Sequence, residues 1–129
     1  MNVIVDTDAL RVADEGAAML GRIQSLQTLL RSNTEKARLE RRVPAENIQA
    51  LQQAGFFLAL QPARWGGYEL DPQDFFRMQL AIAECCMSTA WVYGVMGVHP
   101  WQLARYPVEA QRDVWAEDSF ALVASTYMP

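Results

Sequence analysis

Histidine and cysteine are almost missing from this sequence, and their scarcity removes whole classes of chemistry. His99 is the only histidine, and the two cysteines, Cys85 and Cys86, are adjacent. Neighbouring cysteines fit neither a zinc-ligand spacing nor a disulfide framework, so they read as small buried hydrophobes in a reducing compartment. No stretch is apolar for the length a membrane span needs, and Met1 to Asp6 lacks the charged start and apolar run of a signal peptide. The chain therefore reads as soluble and cytoplasmic, with no membrane partner. Positive charge is also short: 11 Lys and Arg against 15 Asp and Glu give a net charge of −4. That balance withholds the basic footprint of a nucleic-acid binder. Phosphate loops, Gly-x-Gly-x-x-Gly turns and His-Glu-x-x-His helices are absent as well.

What remains is ordinary globular material, 129 residues with 51% hydrophobic and 20% charged side chains. Leu10, Ala13, Ala17, Leu20, Ile23, Leu26 and Leu30 recur at steps of three and four, which predicts an amphipathic helix over 8–32. Ser32-Asn33-Thr34 breaks it, and a short segment carrying Lys36, Arg38, Arg41 and Arg42 follows. Pro44 suits the first turn of a helix that buries Ile48 and Leu51 and stops at Gly55. Phe56 to Leu60 reads as a buried extended link, and Gln61 to Tyr68 as a tight loop in which Gly66-Gly67 permits a sharp turn or a close approach.

Asp71-Pro72-Gln73-Asp74 is a strong helix start, an acceptor followed by proline at the first position. Phe75, Gln79, Ile82 and Cys86 form one ridge with Phe76, Leu80 and Ala83 beside it, so this helix should be mostly buried. A further helix over about 89–106 is apolar nearly all round and should be central. Gly94 and Gly97 inside it each cost about 1 kcal/mol relative to alanine, which calls for close approach by a helix or ligand, and Pro100 should kink it. A last helix runs from Pro107 to about Glu117. From Ser119 to Tyr127 the pattern turns to strand. A lone strand after helices has no partner, so the division is a helical domain over 1–118 and, over 119–129, the first strand of a β-domain.

His99 is the natural proton acceptor near neutral pH, set against the plainer reading of a buried histidine bonded to a backbone carbonyl near Pro100. A serine-histidine-acid triad would need Ser88 or Ser125 beside it, and no spacing requires that. Trp91, Tyr93 and Trp101 can wall a flat ligand or simply fill the core. Ser125-Thr126-Tyr127 offers hydroxyls and backbone donors at a strand end.

Gly55-Phe56-Phe57 through Leu60-Gln61-Pro62, Arg64-Trp65-Gly66-Gly67-Tyr68, Cys86-Met87-Ser88-Thr89-Ala90-Trp91-Val92, Gly97-Val98-His99-Pro100-Trp101 and Ala124 to Pro129 together resemble one family. It is the oxygenase components of two-component flavin-dependent monooxygenases, which have the acyl-CoA dehydrogenase-like fold and hydroxylate phenols. The Gly-Gly element is shared with acyl-CoA dehydrogenases in general; the Ser-Thr-x-Trp and Gly-Val-His-x-Trp pair is more specific. The likeness covers about residues 36–129 and is greatest to oxygenases acting on the phenolic A-ring of a seco-steroid, with 4-hydroxyphenylacetate hydroxylases more distant. Ala90 and Met87 depart from the glycines common around the Ser-Thr pair. The resemblance implies an all-α N-terminal domain, about a third of the family's length. It implies reduced FAD or FMN lined by Trp91, Ser125, Thr126 and Tyr127, and a phenol held by His99 and Trp101 with His99 as general base. It further implies a flavin hydroperoxide formed with O2, a separate flavin reductase, a homotetramer, and no metal. On this reading the chain alone is inactive. An acyl-CoA dehydrogenase proper and a non-catalytic helical module are the alternatives.

Overall fold

The computed structural model describes residues 7–125. Six α-helices account for most of them: α1 (Thr7–Ser32), α2 (Thr34–Glu40), α3 (Ala45–Gln53), α4 (Pro72–Ala83), α5 (Met87–Leu103) and α6 (Val108–Trp115). There is no strand among the described residues. The architecture is all-α, as the periodicities predict.

α1 and α5 pack on either side of α4. The buried face of α1 carries Gly16, Met19, Ile23 and Leu30, flanked by Val12 and Leu26. Ala17 and Leu20, expected in that stripe, face solvent, while the side chains of Leu10 and Ala13 lie outside the described residues. Gly16 explains the shift: a Cβ there would come within 2.7 Å of Asp74 Oδ2, so the helices meet at a bare backbone that a count of apolar side chains overlooks.

Asn33 breaks the helical path, and its amide donates to Asn47 Oδ1 at 2.7 Å. Pro44 stands immediately before α3 rather than in its first turn. Gly55 ends the segment in the left-handed region at φ +86°, as the sequence predicts. The segment after it is not extended. Leu58 N–H donates to Gly55 O at 3.0 Å, closing a 3-10 turn over Phe56–Leu58. Phe56 and Phe57 are both buried, which a strand that sends successive side chains to opposite faces could not achieve here.

A second 3-10 turn, Ala63–Trp65, leads into Gly66 at φ +82°. Gly67 is pressed so closely on the preceding strand of chain that a Cβ would lie 2.0 Å from Gln61 O. Tyr68 and Leu70 then donate their N–H groups to Leu58 O and Ala59 O, so the loop folds back on the 3-10 segment. Asp71 caps α4, its Oδ1 accepting from Gln73 N–H at 2.7 Å.

α4 buries Phe75, Met78 and Ile82, but Phe76 and Leu80 stay 54% and 67% exposed, so only one face enters the core. α5 likewise buries one face, including Ala90, Tyr93 and Gly97, and leaves Met87 and Trp91 outside. The glycines of α5 account for the intimacy of the α4 contact. A Cβ on Gly97 would reach within 2.6 Å of Phe75, and one on Gly94 within 2.1 Å of the Gln79 amide. Pro100 lies within α5, which continues to Leu103.

After α6, residues 119–120 form a turn and 121–125 have no regular structure. The strand expected from Ser119 to Tyr127 is not present over the described residues, since a ladder requires a paired strand; Thr126 and Tyr127 lie outside them. Two glutamines hold this segment to the helical body: Gln61 Nε2 donates to Ser119 O at 2.8 Å and Gln52 Nε2 to Phe120 O at 3.1 Å.

Candidate functional site

That tethering carries the segment past the middle of α5, where it meets His99. The imidazole is buried. Its Nδ1 faces the carbonyl of Val95, one turn back, and its Nε2 lies 2.7 Å from Ser125 Oγ. A carbonyl can only accept, so Nδ1 carries the proton in the neutral ring. Nε2 is then the lone-pair nitrogen, and the Ser125 hydroxyl donates to it. The backbone-carbonyl reading and the proton-acceptor reading of His99 thus hold together, one at each nitrogen. The contact with Ser125, which no sequence spacing demanded, is made. It is not a hydrolase triad, because Nδ1 is engaged by a carbonyl where a triad places a carboxylate.

His99 borders two concavities. One, of about 290 Å³, lies between α4 and α5; Phe75, Phe76 and Gln79 face it from α4. Trp91, Val95 and Val98 face it from α5, with the bare backbone of Gly94 between them. Its walls are mostly apolar, and the imidazole is its sole histidine, cysteine or carboxyl group. The other, of about 340 Å³, is bounded by His99, Leu103, Tyr106, Val123 and Ser125 among others.

The three aromatic residues of α5 diverge. Trp91 is 71% exposed at the rim of the first concavity, where a flat ring system could lie on the indole. Tyr93 belongs to the core: its hydroxyl donates to Phe56 O, and its ring sits 4.9 Å from that of Phe75. Trp101 borders neither His99 concavity and instead stacks under the Arg105 guanidinium, 4.9 Å from its centroid. Of the expected site residues, the structure sets Trp91 and His99 on the first concavity, places Ser125 against His99 on the second, sets Trp101 apart, and does not describe Thr126 or Tyr127.

A buried polar chain supports the start of α5. Asn47 Nδ2 donates to Thr89 Oγ1 at 2.9 Å, and Thr89 Oγ1 donates to Cys86 Sγ at 3.2 Å. Burial pushes the Cys86 thiol up, but the hydrogen bonds from Thr89, Thr34 and the Ser88 backbone outweigh it and hold the thiol below its ordinary value. Cys85 and Cys86 are both buried and unpaired, as their adjacency predicts. Among the described residues no cluster of three metal-ligating side chains occurs, and no helix is long and apolar enough to cross a membrane. Gln79 is the site residue that periodicity missed, since it counted only as part of a ridge. Its signal was Gly94, a helix glycine in need of a neighbour.

Residues 24–120 match the family described as "Acyl-CoA dehydrogenase, N-terminal domain". The chain is 42% identical over 108 residues to the flavin-dependent monooxygenase oxygenase subunit HsaA of Rhodococcus jostii, an alignment covering 84% of this chain and 28% of that protein. It is 36% identical over 111 residues to the oxygenase component of an FADH2-dependent resorcinol hydroxylase from a Rhizobium species, covering 86% and 27%. The crystal structure of the HsaA monooxygenase from Mycobacterium tuberculosis superposes with a TM-score of 0.84 at 38% identity, covering 88% of this chain and 30% of that one. The chain therefore spans less than a third of the length of these relatives.

Proposed function

This chain belongs to the acyl-CoA dehydrogenase N-terminal domain family, and from that premise we propose that it is the N-terminal domain of a reduced-flavin-dependent monooxygenase. The complete enzyme would be the oxygenase component of a two-component system. It would hydroxylate a phenol, a steroid-derived one being the first candidate, ortho to its hydroxyl. Residues 1–118 would be the helical domain and 119–129 the entry to a β-domain. The observation that carries the reading is the Ser125-His99-Val95 relay, at 2.7 Å on its Ser125 side, whose imidazole and Val95 border a mostly apolar concavity.

Reduced FAD or FMN, supplied by a separate reductase, would bring the capacity to activate O2. Trp91 fits this group, its indole being exposed beside an apolar surface, and the Ser125-Thr126-Tyr127 segment would line it through its main chain, the Ser125 hydroxyl being turned to His99. A phenol in the concavity presents its O–H toward His99. Nε2 faces Ser125, which lines the second concavity and not the first, so a phenol in the first would pass its proton to Nε2 through the Ser125 hydroxyl or by displacing it. With Nε2 protonated, both ring N–H groups have acceptors, Val95 O and an oxygen at the Ser125 position, so the imidazolium is stabilised where it forms. Loss of the phenolic proton raises electron density at the ortho carbon, the atom to be oxygenated. Once the concavity is covered, its apolar walls would exclude the water that would compete. Trp101 would act from outside this concavity, and the family's tetramer would enclose the exposed faces of α4 and α5.

The test is hydroxylation by the intact protein with chemically reduced FAD or FMN, O2 and a panel of phenols. His99→Ala should lower coupled product formation by roughly 10²–10⁴-fold while reduced-flavin affinity stays unchanged. Trp91→Ala should weaken that affinity. Absence of product with every phenol would end the monooxygenase reading, and unchanged yield in His99→Ala would end the assignment of the base.

A further inference from the structure

The concavity at His99 holds one polar side chain that the relay does not use. Gln79 projects from α4 across the concavity floor, and its terminal amide lies on the bare backbone of Gly94: a Cβ at that position would be 2.1 Å from Nε2, 2.8 Å from Cδ and 3.2 Å from Oε1. The orientation of the amide is determined by its neighbour. Nε2 donates to Ala90 O at 3.3 Å; turning the amide over would set Oε1 against that carbonyl, two acceptors face to face. Oε1 is thus held as an acceptor. It is not among the buried, unsatisfied atoms of the described residues, where Trp115 Nε1 stands alone.

We propose that Gln79 is a specificity-determining residue: its Oε1 accepts a hydrogen bond from a second donor, a hydroxyl or N–H, carried by the aromatic ring on the side opposite its phenolic oxygen. The proposal rests on the reading of this concavity as the phenol site. Gln79, Gly94 and His99 all line this concavity, with Gly94 and His99 five residues apart on α5, so the Gln79 amide and the imidazole meet a bound ring at different points along its length. A ring with an apolar tail there would leave Oε1 dehydrated and unpaired. A tail bearing only acceptors would leave Oε1 without a donor and engage at most the second N–H of Nε2. Sites with a committed polar group reject analogues that lack its partner far more strongly than apolar pockets discriminate by size.

The experiment is equilibrium binding by titration calorimetry to the intact protein, without flavin or oxygen, of two phenols equal in heavy atoms: 4-hydroxybenzyl alcohol, which carries the second donor, and 4-ethylphenol, which does not. The wild type should bind the alcohol at least as tightly as 4-ethylphenol. Gln79→Met, which keeps the side-chain length, should shift the ratio of the two affinities by about tenfold toward 4-ethylphenol while leaving 4-ethylphenol itself bound. A wild type that prefers 4-ethylphenol tenfold would overturn the proposal with no variant needed, and so would a Gln79→Met ratio equal to the wild-type one. Because the titration needs no turnover, its failure is distinct from failure to hydroxylate, which bears on the monooxygenase reading alone.

Discussion

Asn47 should be among the costliest single side chains to remove, although it lies far from any reacting group. It is fully buried, at 0% exposure, and joins three helical segments: it accepts from Asn33 at 2.7 Å and donates to Thr89, itself at 0%, at 2.9 Å. Replacement by alanine removes two hydrogen bonds, each worth about 1 kcal/mol net. It also strips the Thr89 oxygen of its donor where water cannot substitute, adding about 1 kcal/mol or more. Asn33 is only half-buried, so its freed amide finds solvent and contributes little. The expected loss for Asn47→Ala is therefore about 2–4 kcal/mol, and Asn33→Ala, which leaves the buried Asn47 Oδ1 without its donor, should cost about 1–3 kcal/mol. Thr89→Ala should cost a similar amount to Asn47→Ala, because it orphans the other partner. The double variant Asn47→Ala/Thr89→Ala should then fall short of the sum by about 1 kcal/mol or more, the shared penalty having been counted twice. Urea unfolding followed by circular dichroism, with the slope compared between variants, gives all of these numbers. An Asn47→Ala cost below about 1 kcal/mol, or additivity of the pair, would refute the account of the polar chain as the clamp on the start of α5.

Burial pushes the Tyr93 phenol well above the ordinary tyrosine range. A raised folded pKa means that its contribution is complete below about pH 10, the unfolded value, and is lost as pH climbs beyond it; ultraviolet titration should show one of the four tyrosines ionising only with unfolding. Tyr93→Phe, losing the 3.3 Å bond to Phe56 O, should cost about 1 kcal/mol at pH 7 and soften the alkaline transition; a tyrosine that titrates normally in the folded protein would contradict this. For His99, nitrogen NMR of the neutral ring should find Nδ1 protonated and Nε2 bare, with Ser125→Ala moving the Nε2 signal alone. The opposite tautomer would remove the proton path through Ser125.

Helix content and most boundaries were legible because they depend on local chemistry: the Asp71 cap, the Asn33 break and the left-handed Gly55 act within a few residues of themselves. The family was legible too, since its motifs are short and contiguous. Three features were not. Phe56 to Leu60 reads as a strand by composition, and only the core that accepts both phenylalanines at once makes it a 3-10 turn. The stripe of α1 and the buried face of α4 were displaced because glycine contributes nothing to an apolar count, yet Gly16, Gly94 and Gly97 are where the helices come closest. Tryptophans of one helix that look equivalent in sequence face a cavity or a guanidinium according to their angle about its axis. The sequence by itself determined which elements form and singled out His99 as the one imidazole. Only the tertiary structure decided what that imidazole touches, because Ser125 and Gln79 reach the site through contacts between segments 26 and 20 residues away from it in the chain, a distance over which local sequence pattern carries no information.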